Sequence, residues 1–127
     1  KEIQAKIDTG ADSSSIDENL AKQLGFTDAL SYYHSFGIDK VMSETEIKTV
    51  KQSQVKLKLE SHPDIVKVVT VRSAHGATYR IKIPLFFDLA GVFIKTQVTV
   101  ADRQNLKYPM IIGRQDLKGF LVNPAKP

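Results

Sequence analysis

The chain contains no cysteine and no tryptophan. The first absence removes disulfides, thiolate catalysis and cysteine-held zinc together, while leaving the redox state of the compartment open. No run of about 18 apolar residues is present to cross a bilayer as a helix, and the longest uncharged apolar stretches are of strand length. There is also no block of five or more like charges. The 18 basic and 14 acidic side chains are scattered for a formal net charge of +4, a pattern that argues against a nucleic-acid partner. Two further motifs are missing. No His-Glu-x-x-His helix exists, and His34, His62 and His75 lie 28 and 13 positions apart rather than at ligand spacing. No Gly-x-x-x-x-Gly-Lys-Ser/Thr loop is available to cradle a nucleotide. The expectation is therefore a soluble protein with no metal, no cofactor, no nucleic acid and no membrane partner. The chain begins at Lys1, almost inside its first strand, so a signal peptide or upstream segment lies out of view.

What is present is enough for one domain over residues 1–127, since a chain of this length that is 42% apolar can bury a sizeable core. Ile3, Ala5 and Ile7 alternate as a first strand ending near Asp8. Ser13 to Ser15 read as a polar turn. A two-turn helix follows, capped by Asp17 or Ser15 and ended by Gly25, with Ile16, Leu20 and Leu24 on one side; Ser15 and Glu18 have capping-box spacing. From Thr27 to Glu46 the pattern is poor and reads as a loop containing Tyr32, Tyr33 and Phe36. Strand periodicity returns over 50–59, where Lys56 and Lys58 alternate with Val55, Leu57 and Leu59 as the solvated side of a half-buried strand. Two β-rich runs, 65–71 and 78–87, flank Ser73-Ala74-His75-Gly76-Ala77 as a hairpin, and 92–100 alternates again. Residues 103–108 are a polar connection before the wholly apolar strand Met110-Ile111-Ile112-Gly113. A one-turn helix to Leu117 and a last strand over 120–122 complete the chain before Pro124 and Pro127. Short strands with little helix predict an all-β barrel or sandwich.

Asp8-Thr9-Gly10-Ala11-Asp12, directly after the first strand, carries the chemistry. Together with Met110 to Leu117 it resembles the retropepsins, the retroviral aspartic proteases, in which an Asp-Thr-Gly-Ala loop packs against a hydrophobic-hydrophobic-Gly-Arg strand. Over most of its length the chain is still more similar to a bacterial family of retropepsin-like proteins often labelled ATP-dependent zinc proteases. Residues 5–11, 71–76, 98–103 and 108–124 carry that likeness. The label does not suit these residues, since neither a zinc nor an ATP site can be read from them. The resemblance implies an all-β, retropepsin-like closed barrel with one or two short helices, in a bacterial cytoplasm or periplasm.

A single Asp-Thr-Gly supplies half of an aspartic-protease site, so the resemblance implies a homodimer with peptide or protein as substrate. Asp8 is the expected catalytic acid. Thr9 should tie the two loops across the two-fold axis, and Gly10 and Ala11 complete the active-site loop. Asp12 either pairs with Arg114 or contacts substrate. Ile111, Ile112 and Gly113 form the supporting strand, and Ser73, Ala74, His75 and Gly76 occupy the place of a flap, with Gly76 giving flexibility at its tip. The 27–64 insertion is expected to shape the cleft, to form dimer surface, or to be core; core is the default for its aromatics. Two alternatives stand beside the peptidase: a retropepsin-fold binding or regulatory module that cleaves little, and, further off, a metallopeptidase.

Overall fold

The structure, a computed structural model, describes residues 2–101 and 107–118. Six strands among these residues form one sheet: β1 Ala5–Asp8, β2 Ser15–Asp17, β3 Lys67–Ser73, β4 Gly76–Leu89, β5 Val92–Ala101 and β6 Met110–Gly113. Their order is β1-β6-β2-β5-β4-β3. β1 runs parallel to β6 and β2 parallel to β5, while β2–β6, β3–β4 and β4–β5 are antiparallel. Strand outweighs helix, in keeping with an all-β class. The expected closed barrel is corrected: among the described residues β1 and β3 are the two edges of an open sheet and do not pair with each other.

The second correction concerns helix content. Among the described residues four α-helices replace the expected one or two: α1 Glu18–Gln23, α2 Thr27–Ser35, α3 Glu44–Gln52 and α4 Val55–Glu60, followed after β6 by a 3₁₀ turn, Arg114–Leu117. Where a strand was expected over 50–59, the chain ends α3, turns through Gln54 at a φ of 61° and begins α4. The alternation of Val55, Leu57 and Leu59 misleads because only two of the three face inward. Leu57 is 71% exposed, while Leu59 is fully buried and Val55, one helical turn before it, packs against the core. The capping box sits at Ser43 and Glu46, whose side chains exchange hydrogen bonds with each other's backbone N–H at 3.2 Å. At α1, Asp17 rather than Ser15 is the cap, accepting from the Asn19 N–H at 3.0 Å.

The insertion is therefore a helical layer that completes the core. Leu30, Tyr33, Ile47 and Leu59 from α2, α3 and α4 join Ile81 and Ile83 of β4, Val98 and Val100 of β5, and Ile112 of β6 in one buried cluster. The Tyr33 hydroxyl donates to the Tyr79 carbonyl at 2.6 Å in this interior, and burial pushes its pKa up to about 12. Of the choices open for Tyr32, Tyr33 and Phe36, Tyr33 lies in the core, with Tyr32 and Phe36 packed against its margin. No helix among the described residues is long and apolar enough to cross a membrane. The strand expected over 120–122 lies outside the described residues.

Candidate active site

Asp8 is the last residue of β1, in register with Gly113, the last residue of β6. The chain then turns sharply. The Ala11 N–H bonds back to the Asp8 carbonyl at 3.1 Å, and Asp8 Oδ1 accepts the Gly10 N–H at 3.0 Å. A carboxylate that folds back onto its own loop in this way is locally ordered and already partly solvated by a backbone dipole. The side chain remains half-buried, and Thr9 and Gly10 are exposed. Ile7, immediately before, is 52% exposed.

The far side of the loop is held by the chain after β6. The Arg114 N–H donates to the Ala11 carbonyl at 2.9 Å and the Gln115 N–H to the Asp12 carbonyl at 3.0 Å. Arg114 Nη2 also donates to Asp12 Oδ1, a pair in which both side chains are largely exposed. Backbones meet closely enough at Gly113 that a Cβ there would stand 2.5 Å from the carbonyl carbon and oxygen of Ser13. The glycine is required by space, not by its dihedral angles. Ile111 is partly buried and Ile112 almost wholly so, which anchors the strand that supports the loop.

Two residues at this junction carry no signal in the sequence. Ser14 is fully buried, and its hydroxyl links the Gly113 N–H to the Asp116 carboxylate. Within a run of three serines nothing marks the middle one as interior, and Asp116 reads as an ordinary helix-turn carboxylate.

The hairpin of β3 and β4 turns at Ala74–His75, with Ser73 and Gly76 as its closing pair. It is tied down. Met42 and Ala77 exchange backbone hydrogen bonds at 2.7 and 2.9 Å, and Arg72 on β3 pairs with Glu44 at the start of α3. Gly76 adopts a φ of 138°, and a Cβ there would lie 2.3 Å from the Met42 carbonyl oxygen. The glycine thus allows a close approach between the hairpin and the segment before α3.

Two of the three histidines make local side-chain contacts. His34 stands between Glu18 and Asp39, bonding the first through Nε2 at 2.5 Å and the second through Nδ1. Burial lowers its pKa, but the two carboxylates outweigh that effect and hold it above the ordinary histidine value. His62 accepts the Asp64 N–H at 3.1 Å and lies beside the Tyr32 ring. His75 is exposed at the hairpin tip. Among the described residues no group of three or more histidines and carboxylates is placed to hold a metal ion.

A family model described as RimB-like, retropepsin-like aspartic endopeptidase RimB, matches residues 1–127. Neither the curated proteins nor the solved structures gave a match to the chain.

Proposed function

Because the chain belongs to the RimB-like family of retropepsin-like aspartic endopeptidases, we propose that it hydrolyses peptide bonds as a homodimer, with one Asp8 from each subunit. The observation that carries this reading is the placement of Asp8 at a strand end, its loop pinned from behind by β6 and open in front. The exposure of Ile7, Thr9 and Gly10 beside it supports the approach of a second subunit.

Two Asp8 carboxyls brought to hydrogen-bond distance cannot both ionise, so the pair holds one proton, and its pKa values belong to the pair. A water lying between them gives a proton to the ionised carboxylate as its oxygen attacks the scissile carbonyl carbon. The protonated partner donates to the carbonyl oxygen, giving a tetrahedral diol with no covalent link to the protein. Proton return to the amide nitrogen then breaks the C–N bond. The Gly10 N–H on Asp8 Oδ1 holds that carboxyl in one orientation. Thr9 links the loops across the axis, and the Asp12–Arg114 pair stiffens the loop from the side.

Asp8→Asn tests this reading. The variant is expected to keep its circular-dichroism spectrum, melting temperature and sedimentation coefficient while losing all cleavage of a peptide library. Chelators should leave wild-type cleavage intact, and a statine-type transition-state mimic should abolish it. Cleavage that survives Asp8→Asn rejects the assignment.

One feature favours a second reading, a binding module that retains the fold without efficient hydrolysis. The hairpin in the flap position is bonded to Met42 and Glu44 rather than free. A protein that stays monomeric at micromolar concentration, binds peptide and cleaves none would establish that alternative.

A further inference from the structure

The serine run after the Asp8 loop contributes one side chain with no access to solvent. Ser14 is 0% exposed, and a hydroxyl in that setting has one proton to donate and lone pairs to fill. Its proton goes to Asp116 Oδ2 at 2.5 Å, and it accepts the Gly113 N–H at 3.0 Å. Gly113 is the strand partner of Asp8. The Ser14 carbonyl, in turn, accepts the Thr99 N–H from β5 at 3.1 Å. One residue therefore joins β5, β6 and the 3₁₀ turn to the loop that begins at Asp8.

The direction of this chain of bonds is set at its far end. An ionised carboxylate can only accept, so Asp116 draws the hydroxyl proton toward itself and leaves an oxygen lone pair facing Gly113. Replace Asp116 with a group that cannot accept, and the rotor loses its reason to hold that orientation. The N–H opposite Asp8 is then the buried donor whose partner is disturbed, and β6 is free to shift against β1. The loop hangs on that pairing, because the Ala11 and Asp12 carbonyls take their hydrogen bonds from the two residues that follow Gly113.

We propose that Ser14 and Asp116 form a positioning pair for Asp8, holding the strand that faces it and so the attitude of its carboxyl. Neither touches substrate. The kinetic consequence rests on the peptidase reading above; the spectroscopic one does not.

The test compares full-length wild type with Ser14→Ala, Asp116→Ala and Asp116→Asn by two readouts. The first is steady-state cleavage of a library-derived peptide. The second is a carbon-13 NMR titration of the Asp8 carboxyl. Ser14→Ala and Asp116→Ala should lower kcat about tenfold to a hundredfold, as small misplacements of a reacting group do, with KM within about threefold of wild type. Both should also move the Asp8 titration curve. Asp116→Asn keeps an acceptor oxygen and should restore both readouts to near wild type. The proposal is overturned if Ser14→Ala and Asp116→Ala merely melt earlier, keeping wild-type kcat and an unmoved Asp8 curve. If the wild type itself cleaves nothing, the peptidase reading fails alone and the titration still decides: a shifted curve sustains the pair, an unshifted one removes it. Should Ser14→Ala fail to fold, the contrast between Asp116→Ala and Asp116→Asn, at a partly exposed position, gives the same decision.

Discussion

Two junctions in this molecule are built around a glycine that meets another backbone, and they are fastened in opposite ways. At Gly113 the contact is interior. A buried hydroxyl, two backbone hydrogen bonds from the following residues and the β1–β6 pairing all converge there. At Gly76 the contact is a two-bond bridge to Met42, reinforced by an Arg72–Glu44 pair whose side chains are 54% and 69% exposed. Exposed ion pairs contribute little, about 0 to 1 kcal/mol, because water screens the charges and the side chains lose freedom. The two junctions divide the labour: the loop carrying Asp8 is locked, whereas the hairpin is latched. A latch of two hydrogen bonds and a solvated ion pair opens at lower cost than the buried contact at Gly113.

Gly113→Ala should have the largest effect. Its Cβ would press on the Ser13 backbone at 2.5 Å, and a buried backbone cannot yield without losing the Ser14 and Arg114 hydrogen bonds as well. We expect a loss of about 4 kcal/mol, at the upper end for single substitutions, from overpacking together with stranded buried donors. Chemical denaturation measures it. A loss below about 0.5 kcal/mol, within the range of ordinary surface changes, would show that the junction is softer than its geometry.

Gly76→Ala should have a smaller and more local effect. The clash with the Met42 carbonyl is as close, at 2.3 Å, and the φ of 138° adds strain, but the hairpin tip can lift away from the segment before α3. The expected loss is about 2 kcal/mol, the strain plus the Met42–Ala77 bridge. Amide exchange should quicken at Met42 and Ala77 while Gly113 stays protected. If both junctions lose protection together, locked and latched are one cooperative unit and the distinction fails.

Legibility in the sequence divides along the same line. The Asp8 loop, β6, the 3₁₀ turn and the β3–β4 hairpin were readable because each is written locally: a carboxylate after an alternating strand, an unbroken apolar tetrapeptide, a polar linker between β-rich runs. The helical layer was not. Val55, Leu57 and Leu59 alternate like a strand, and only the packing of Val55 and Leu59 against the core, with Leu57 outside, decides for a helix. Ser43 and Glu46 have the Ser-x-x-Glu spacing of a reciprocal cap, a local cue that the reading of 27–46 as loop does not use. Ser14 illustrates a different limit. Its burial follows from three elements meeting, and no window of sequence contains all three. Whether the sheet closes is likewise a matter of how far its edges curl, which strand periodicity does not encode.

The helical layer also sets the smallest effect and the one that sharpens the latch. His34 of α2 bridges Glu18 of α1 and Asp39, three residues before Met42. Tyr33 lies beside its ring, and Lys40 flanks Asp39. Burial of His34 opposes its charge, yet the two carboxylates prevail and its pKa is raised; that of Asp39 is lowered, chiefly by its hydrogen bond to His34. A raised histidine pKa contributes stability that is fully present below the unfolded value near 6.5 and is lost as pH climbs through the folded value. A depressed aspartate pKa contributes stability present above the unfolded carboxylate value and lost as pH falls through the folded one. The bridge is therefore complete in mildly acidic solution and weakens on the alkaline side. Because His34 is about a third exposed, solvent screening limits the effect to less than about 1 kcal/mol. His34→Gln should melt below wild type at pH 5.5, and the gap should narrow as pH is raised to 8.5, with faster exchange at Met42 accompanying the loss. Equal separation of the two melting curves at both pH values would show that the ring supports the latch through packing rather than charge.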